Sequence, residues 1–253
     1  MLITEPLNRS LYSQIELHEQ IYSALDIELS KMCQRMFLRY LQRVPSSILD
    51  IRCGLGRELN ALSRICPNCL GIDDRLQIVR SAQYRYPNVT FKVGDTSSFR
   101  LQQRFDGILS LRWAINYALT NRDLERTLQS YAAHAKTGTL LILEALNADA
   151  YMPEKRLNKK QPLKSVSERF YGEAIAKSIF RQRQHFLDRQ RIWNLPGQAP
   201  IEDYCRYRLF SSKELELLLA KNGFQVVGMF DNRDLDYSDL SGTDLYVAAI
   251  FHG

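Results

Sequence analysis

No stretch of this 253-residue chain approaches the roughly 20 consecutive apolar residues that a membrane-spanning helix needs. The first ten residues, MLITEPLNRS, lack the basic start and apolar core of a secretory signal. Cysteine is present five times, an odd number without framework spacing, which argues against a disulfide scaffold and for a reducing cytoplasm. Cys66-Pro67-Asn68-Cys69 is a CxxC, but neither a second CxxC nor an HxxxH accompanies it. Cys69 opens an apolar segment, so a buried thiol is expected there rather than a zinc ligand. Histidine is scarce, with four in the whole chain, and this limits the candidates for proton transfer. Repeats and low-complexity tracts are also missing, which excludes solenoid and linker-rich architectures.

What is present suits a globular protein of one domain, or of a core with a cap. Apolar residues make up 45% and charged residues 25%, ordinary values for a soluble fold. The net charge of +6 is concentrated. Residues 151–208 hold thirteen Lys/Arg against six Asp/Glu, while the remainder is close to neutral. A local field of that kind attracts anionic partners.

The chain is organised around Ser46 to Arg57, SSILDIRCGLGR. Ile48-Leu49 leads to Asp50 and then into a glycine-containing turn, Cys53-Gly54-Leu55-Gly56, with a helix starting at about Arg57. Glycines let a backbone approach a ligand closely, and a helix N-terminus offers free N–H groups. Three further strand signals follow, Cys69–Asp73, Val89–Val93 before Gly94-Asp95, and Gly107–Leu111 after the pair Phe105-Asp106. Helices are expected at about Arg75–Tyr84 and from Asn121 to about Ala135. Gly138 precedes a fifth strand, Thr139–Glu144. Alternation of this kind implies a parallel sheet with helices on both faces and a ligand crevice at the carboxyl ends of the strands.

Apolar residues from Ile15 to Leu41 recur at helical spacing, and Pro45 stops them. Beyond Ala148 the pattern changes to short strands, Tyr171–Arg181, Arg183–Asp188, Arg191–Asn194 and Cys205–Phe210, with turn residues at Asn194–Gly197; Glu173–Phe180 also admits a helix. Ser211-Ser212-Lys213-Glu214 resembles a capping box for a helix over Leu215–Asn222. Gly223 ends that helix, and Phe224–Met229 and Leu245–Phe251 close the chain as strands.

From about Ile48 to Gly253 this order resembles the class I S-adenosylmethionine (SAM)-dependent methyltransferases. The carriers of the resemblance are the acid and glycine loop, Asp73, Asp95 and the strand opening FD. It implies an α/β, Rossmann-like seven-stranded sheet with helices on both faces, an N-terminal helical arm (1–45) and a small antiparallel insertion (148–208). The core would comprise 46–147 and 209–253. FDGILSLRWAINYALTNRDLERTLQSYAAHAKTGTLLILE is similar in arrangement to methyltransferases of TDP-linked amino sugars, where the added sheet contributes to substrate binding and dimer contact.

The resemblance implies SAM as cofactor, with S-adenosylhomocysteine as product. Cofactor contacts are expected from Tyr12, Asp50, Arg52, Cys53, Gly54, Gly56, Asp73, Asp95, Thr96 and Leu111. Within these, Asp73 would take the ribose and Asp95 the adenine edge. Arg52 departs from the family's Gly or Ala, and three placements stay open: pairing with the SAM carboxylate, filling the pocket, or pointing to solvent. Tyr22, Trp113 and Tyr117 are candidates beside the reacting centre, where an aromatic face suits a sulfonium. Asn116, Glu144, Arg181, Arg183 and His185 are candidates for the acceptor. Residues two apart in a strand share a face, so Arg181 with Arg183, or Arg189 with Arg191, would make an anion clamp.

The expected activity is methyl transfer to a small biosynthetic metabolite, preferably at nitrogen, with an anionic acceptor such as a nucleotide-linked sugar and room for a homodimer. No membrane partner is expected. An RNA methyltransferase is the alternative, using the basic segment against phosphate; against it, the Asn/Asp-Pro-Pro-aromatic motif is missing. A third alternative is a protein of this fold with a non-catalytic role.

Overall fold

The computed structural model describes residues 28–151, 164–171 and 174–253. Tyr12, Tyr22 and most of the expected N-terminal arm lie outside them. The described chain opens with α1 (Glu28–Leu41), whose Leu29, Met32, Cys33, Met36 and Phe37 are buried at the three- and four-residue spacing of an apolar helix face.

Next come β1 (Ser47–Ile51), α2 (Arg57–Ser63), β2 (Asn68–Asp73), α3 (Leu76–Arg85), β3 (Thr90–Val93) and β4 (Phe105–Ser110). A 3₁₀ turn at Ala114–Tyr117 leads to α4 (Asn121–Ala133) and β5 (Ala135–Leu146). The short α5 (Ala148–Tyr151) precedes β6 (Lys164–Tyr171), β7 (Ala174–Arg183), β8 (Phe186–Asn194) and β9 (Ile201–Arg208). The chain closes with α6 (Ser212–Lys221), β10 (Phe224–Phe230) and β11 (Asp244–Phe251).

Seven strands form one sheet in the order β10-β11-β5-β4-β1-β2-β3. The five strands from β5 to β3 are parallel to one another, and β11 runs antiparallel between β5 and β10. Alternate residues of the central strands enter opposite cores. Leu49, Ile51, Ile108 and Leu141 pack with Leu124 and Leu128 of α4 and Leu215 and Leu219 of α6. Ile48, Leu109 and Ile142 pack on the other side with Phe37 of α1 and Leu59 of α2. Burial on both faces is why these strands read as continuous apolar runs. Strand order reverses between β1 and β4, which opens a crevice at their carboxyl ends.

Several strand edges differ from those expected: β6 precedes the strand expected over Tyr171–Arg181, which is β7 from Ala174; Arg183–Asp188 and Arg191–Asn194 merge into β8; and β9 starts at Ile201 and ends at Arg208. β5 extends to twelve residues, because its far end has β11 for a partner out to Asp244–Leu146. Residues 164–208 form a four-stranded antiparallel sheet, β6-β7-β8-β9, in which 174–183 is strand and not helix. The expected break before Arg183 falls instead after it, at Gln184, which takes φ 52° between β7 and β8. Ser211 accepts the Glu214 N–H at 3.2 Å and so caps α6. Among the described residues no helix is long and apolar enough to cross a membrane.

The acid of the FD pair works at the end of the sheet opposite the crevice. Asp106 accepts from Arg43 at 2.9 Å and from both Ser46 and Ser47, and lies 3.1 Å from Lys136. Burial alone would raise its pKa; the contacts from Ser46, Arg43, Lys136 and Ser47 outweigh it and hold the carboxyl well below the usual range. A depressed pKa stabilises the fold above the unfolded value near 4, and that stability is lost as pH falls through the native value. Asp106→Ala should therefore cost about 2–3 kcal/mol in urea denaturation at pH 7. The gap from wild type should shrink below about pH 4, and a gap independent of pH would contradict the assignment.

Candidate functional site

The loop after β1 turns by left-handed residues, with φ of 65° at Arg52, 56° at Gly54 and 74° at Gly56. Arg52 and Cys53 both donate their N–H to the Ile72 carbonyl, at 2.7 and 3.0 Å. A non-glycine residue in this region costs roughly 1 kcal/mol, so Arg52 is held there by the surrounding contacts. A Cβ on Gly56 would run into the Phe91 ring, and one on Gly71 would sit 2.7 Å from both Cys53 Sγ and Phe91. Loop, β2 and β3 thus close on one aromatic ring.

Asp73 ties the loop down. Its Oδ2 accepts the Gly54 N–H at 3.0 Å and Arg75 Nη2 at 2.8 Å; its Oδ1 accepts Arg75 Nε at 2.7 Å and N at 3.1 Å. The carboxyl is fully buried. Burial pushes its pKa up, but the Arg75 contacts overcome this and lower it. Both oxygens are therefore engaged within the chain. The neighbouring acid, Asp74, faces the crevice instead.

That crevice has a volume of about 170 Å³ and is lined by Arg52, Asp74, Asp95, Thr96 and Tyr117 among others. The Arg52 side chain is only 13% exposed, so it does not point to solvent. Its Nη2 lies 3.5 Å from Asp74, and its guanidinium stands 4.1 Å over the Tyr117 ring. Asp95 accepts from Ser97 N at 2.9 Å, Ser97 Oγ at 2.7 Å and Ser98 Oγ. Hydrogen bonds from the two serines lower its pKa. Asp50 lies below the loop, buried; burial first and then Glu58 and Asp73 raise its pKa. Cys53 and Leu111 are buried in the core shared by α1 and α2.

Beyond β4 the chain takes two consecutive left-handed residues, Arg112 (φ 51°) and Trp113 (φ 62°). Such strain is held by contacts on both sides. The Arg112 N–H donates to Glu144 Oε2 at 2.6 Å, and its Nε donates to Glu58 Oε1 at 2.9 Å. Trp113 Nε1 donates to Asp244 at 2.5 Å, and the Trp113 and Tyr117 rings meet Tyr207 of β9 edge-on, at 5.7 and 5.2 Å. The antiparallel sheet therefore lies against the turn that carries Trp113 and Tyr117.

Four acceptor candidates take other places. Asn116 is fully buried and ties elements together: Nδ2 donates to the Arg208 carbonyl at 2.6 Å and Oδ1 accepts the Leu146 N–H at 3.2 Å. Arg181 and Arg183 are exposed on the outward face of β7, opposite the buried Leu187, Arg189, Arg191 and Trp193 of β8. His185 is exposed at the β7–β8 turn. The expected clamp by Arg189 with Arg191 is split as well, because Arg191 is paired bidentately with Asp203 at 2.9 and 2.6 Å. Arg75, Asp74 and Tyr207 were missed; only Asp74 had a signal, its position next to Asp73.

This fold and loop belong to a known class. Residues 25–228 match the family described as a methyltransferase domain, and the chain belongs to that family. It is similar to the Streptomyces venezuelae dTDP-3-amino-3,4,6-trideoxy-alpha-D-glucopyranose N,N-dimethyltransferase, 28% identical over 99 residues, covering 39% of this chain and 42% of that one. The Saccharopolyspora spinosa dTDP-4-amino-2,3,4,6-tetradeoxy-D-glucose N,N-dimethyltransferase is 27% identical over 139 residues, covering 53% and 56%. The chain thus spans about half the length of these curated relatives. In fold it superposes on a S-adenosylmethionine-dependent methyltransferase from Clostridium acetobutylicum ATCC 824 with a TM-score of 0.79, at 13% identity, over 97% of this chain and 100% of that one.

Glu144 carries the most testable electrostatics of the site. Burial, and then Asp244, push its pKa up to about 7. Between about pH 4.5 and 7 the folded state then holds a proton that the unfolded state has lost, so stability falls as pH rises. Glu144→Gln keeps an acceptor for the Arg112 N–H and removes the charge. Urea denaturation should show it gaining on wild type by about 3 kcal/mol between pH 5 and pH 8. Parallel profiles for the two proteins would contradict the shifted pKa.

Proposed function

We propose that this protein is a SAM-dependent methyltransferase acting on a small biosynthetic metabolite, with nitrogen as the methylated atom. The observation that carries this is the glycine loop pinned by Asp73 beside a crevice whose polar groups match an adenosyl amino acid. Asp74 faces the crevice as an acceptor for ribose hydroxyls, and Asp95 with Thr96 stands where an adenine edge needs a partner. Arg52 supplies a cation for the amino-acid carboxylate. The crevice, about 170 Å³, is smaller than the roughly 300 Å³ of ordinary ligand sites, and Arg52 on its wall is the group we infer to move off Asp74 as the cofactor enters. In this reading Asp73 acts one step back, as the anchor of the loop, because Arg75 and Gly54 engage both its oxygens.

Bound there, SAM supplies an electrophilic methyl group. The protein's own part is to align the acceptor and exclude water. An amine attacks as the free base; the S–CH₃ bond breaks with its electron pair left on sulfur, the N–CH₃ bond forms, and the product ammonium loses one proton. That proton is released to water as the product leaves. Trp113 and Tyr117 form the wall between crevice and antiparallel sheet. We assign residues 148–208 to acceptor binding, and the lid role expected of the 1–45 arm to the part before α1, because α1 itself is buried in the core. The relatives' activities on amino sugars support nitrogen as the target, and the charge excess in 151–208 supports an anionic acceptor.

Calorimetry with S-adenosylhomocysteine should give a Kd on the order of micromolar. Asp74→Ala should weaken it ~10-fold at unchanged Tm, whereas Asp73→Ala should lower affinity and Tm together. Arg52→Gly should also weaken binding ~10-fold, although it relieves the left-handed backbone. Tighter binding in that variant would make Arg52 an obstruction. A wild-type protein that takes up no cofactor would remove the reading.

A further inference from the structure

The inward face of the antiparallel sheet holds two buried arginines and one carboxylate. Arg189 and Arg191 are 8% and 6% exposed, and Asp203 is 2% exposed. Asp203 is committed: it takes both the Nε and Nη2 of Arg191 and the Trp193 Nε1–H at 3.0 Å. Arg189 has no such partner. Its Nε is buried and makes no hydrogen bond, and among the described residues no carboxylate pairs with it. What surrounds it is aromatic, with its guanidinium 5.1 Å from the Tyr207 ring and 6.0 Å from the Trp113 ring. Facing aromatic rings offset part of the desolvation of a guanidinium, but they satisfy none of its in-plane N–H groups. A buried cation left so costs several kcal/mol unless something pairs with it.

Its position says what that partner is. Tyr207 touches both Trp113 and Tyr117, and Tyr117 carries the Arg52 guanidinium on its own ring. Arg189 is therefore separated from the cofactor crevice by two aromatic side chains, Tyr207 and Tyr117, on the side of the antiparallel sheet. The outward arginines, Arg181 and Arg183, do not share this enclosure.

We propose that Arg189 is the anion-receiving group of the acceptor site, taking a phosphate or carboxylate oxyanion of the metabolite through its fork of N–H donors while Trp113 and Tyr207 wall the adjoining part of the molecule. This rests on the methyltransferase reading for the word acceptor, but the anion site itself does not. A guanidinium with a free edge recognises planar or tetrahedral oxyanions bidentately, a geometry that lysine cannot reproduce. The aromatic surround favours an acceptor with an apolar or ring portion next to its charge.

The test uses the full chain with ¹⁵N-labelled arginine, following the Nε–H resonances during titration with sodium phosphate or sodium acetate at constant ionic strength, with sodium chloride as control. One resonance, identified by its loss in Arg189→Lys, should shift saturably with an oxyanion and not with chloride. Phosphate alone moving it assigns a phosphate-bearing acceptor; acetate alone, a carboxylate. Arg189→Lys should weaken the oxyanion-induced rise in Tm ~10-fold in concentration while leaving S-adenosylhomocysteine affinity unchanged. An Arg189 resonance that ignores both oxyanions, or follows chloride equally, overturns the proposal. Oxyanion binding in a protein that takes up no S-adenosylhomocysteine leaves the anion site standing and brings down only the methyltransferase reading.

Discussion

One buried carboxylate holds the site together. Asp73 sits at the end of β2, fully removed from water, and its two oxygens accept four hydrogen bonds, one from the Gly54 N–H and three from Arg75. A charge in that position is tolerable only because every lone-pair direction is used. The consequence is geometric. The glycine loop is fastened to β2 from below, so its left-handed turns at Arg52, Gly54 and Gly56 keep one shape and the crevice beside them keeps its wall. Phe91 supports the same loop through apolar contact, leaving no room for a Cβ at Gly56 or Gly71.

The rest of the crevice follows as a balance of charge. Asp50, Glu58, Asp73, Asp74 and Glu144 crowd the carboxyl ends of β1, β2 and β5, and arginines are interleaved among them. Arg112 bridges Glu58 by its side chain and Glu144 by its backbone N–H. Arg75 neutralises Asp73, and Arg52 leans on Asp74. Arg52 differs from the other two in being loosely held, by a 3.5 Å ion pair and a ring face, and it is the one that lines open space. A group in that state can exchange its partner for a ligand's carboxylate at small cost, which suits a side chain standing in the path of an adenosyl amino acid.

Much of the fold was legible because each signal was local. The alternation of strand and helix from Ile48 to Glu144, the cap at Ser211 and the closing hairpin all appear where short-range patterns placed them, within a few residues. Helices on both faces and the added antiparallel layer followed from those patterns, whereas the count of seven strands came from the resemblance to methyltransferases. Details that depend on long-range pairing were not legible. Arg181, Arg183, Arg189 and Arg191 look equivalent in sequence. Only the β7–β8 register, set by a turn at Gln184, puts the first two outward and the last two inward. Asn116 reads as a substrate contact by position, yet its amide is consumed in joining Leu146 to Arg208. Arg75 is two residues from Asp73 and gave no sign that it would occupy both oxygens. The solvent-facing placement of Arg52 fails for a related reason: Tyr117, sixty-five residues away, provides the face on which it stacks.

In the proposed function, the crevice over the Asp73-anchored loop receives an adenosyl amino acid by displacing Arg52. A crystal structure of the protein grown with S-adenosylhomocysteine tests it most directly. The account predicts the nucleoside in the crevice with its ribose hydroxyls on Asp74, Arg52 moved from Asp74 to the homocysteine carboxylate, and the Asp73–Arg75 and Asp73–Gly54 bonds unchanged. Arg75 released and the ribose seated on Asp73, or the Arg52–Asp74 pair intact beneath an empty crevice at saturating ligand, would contradict it.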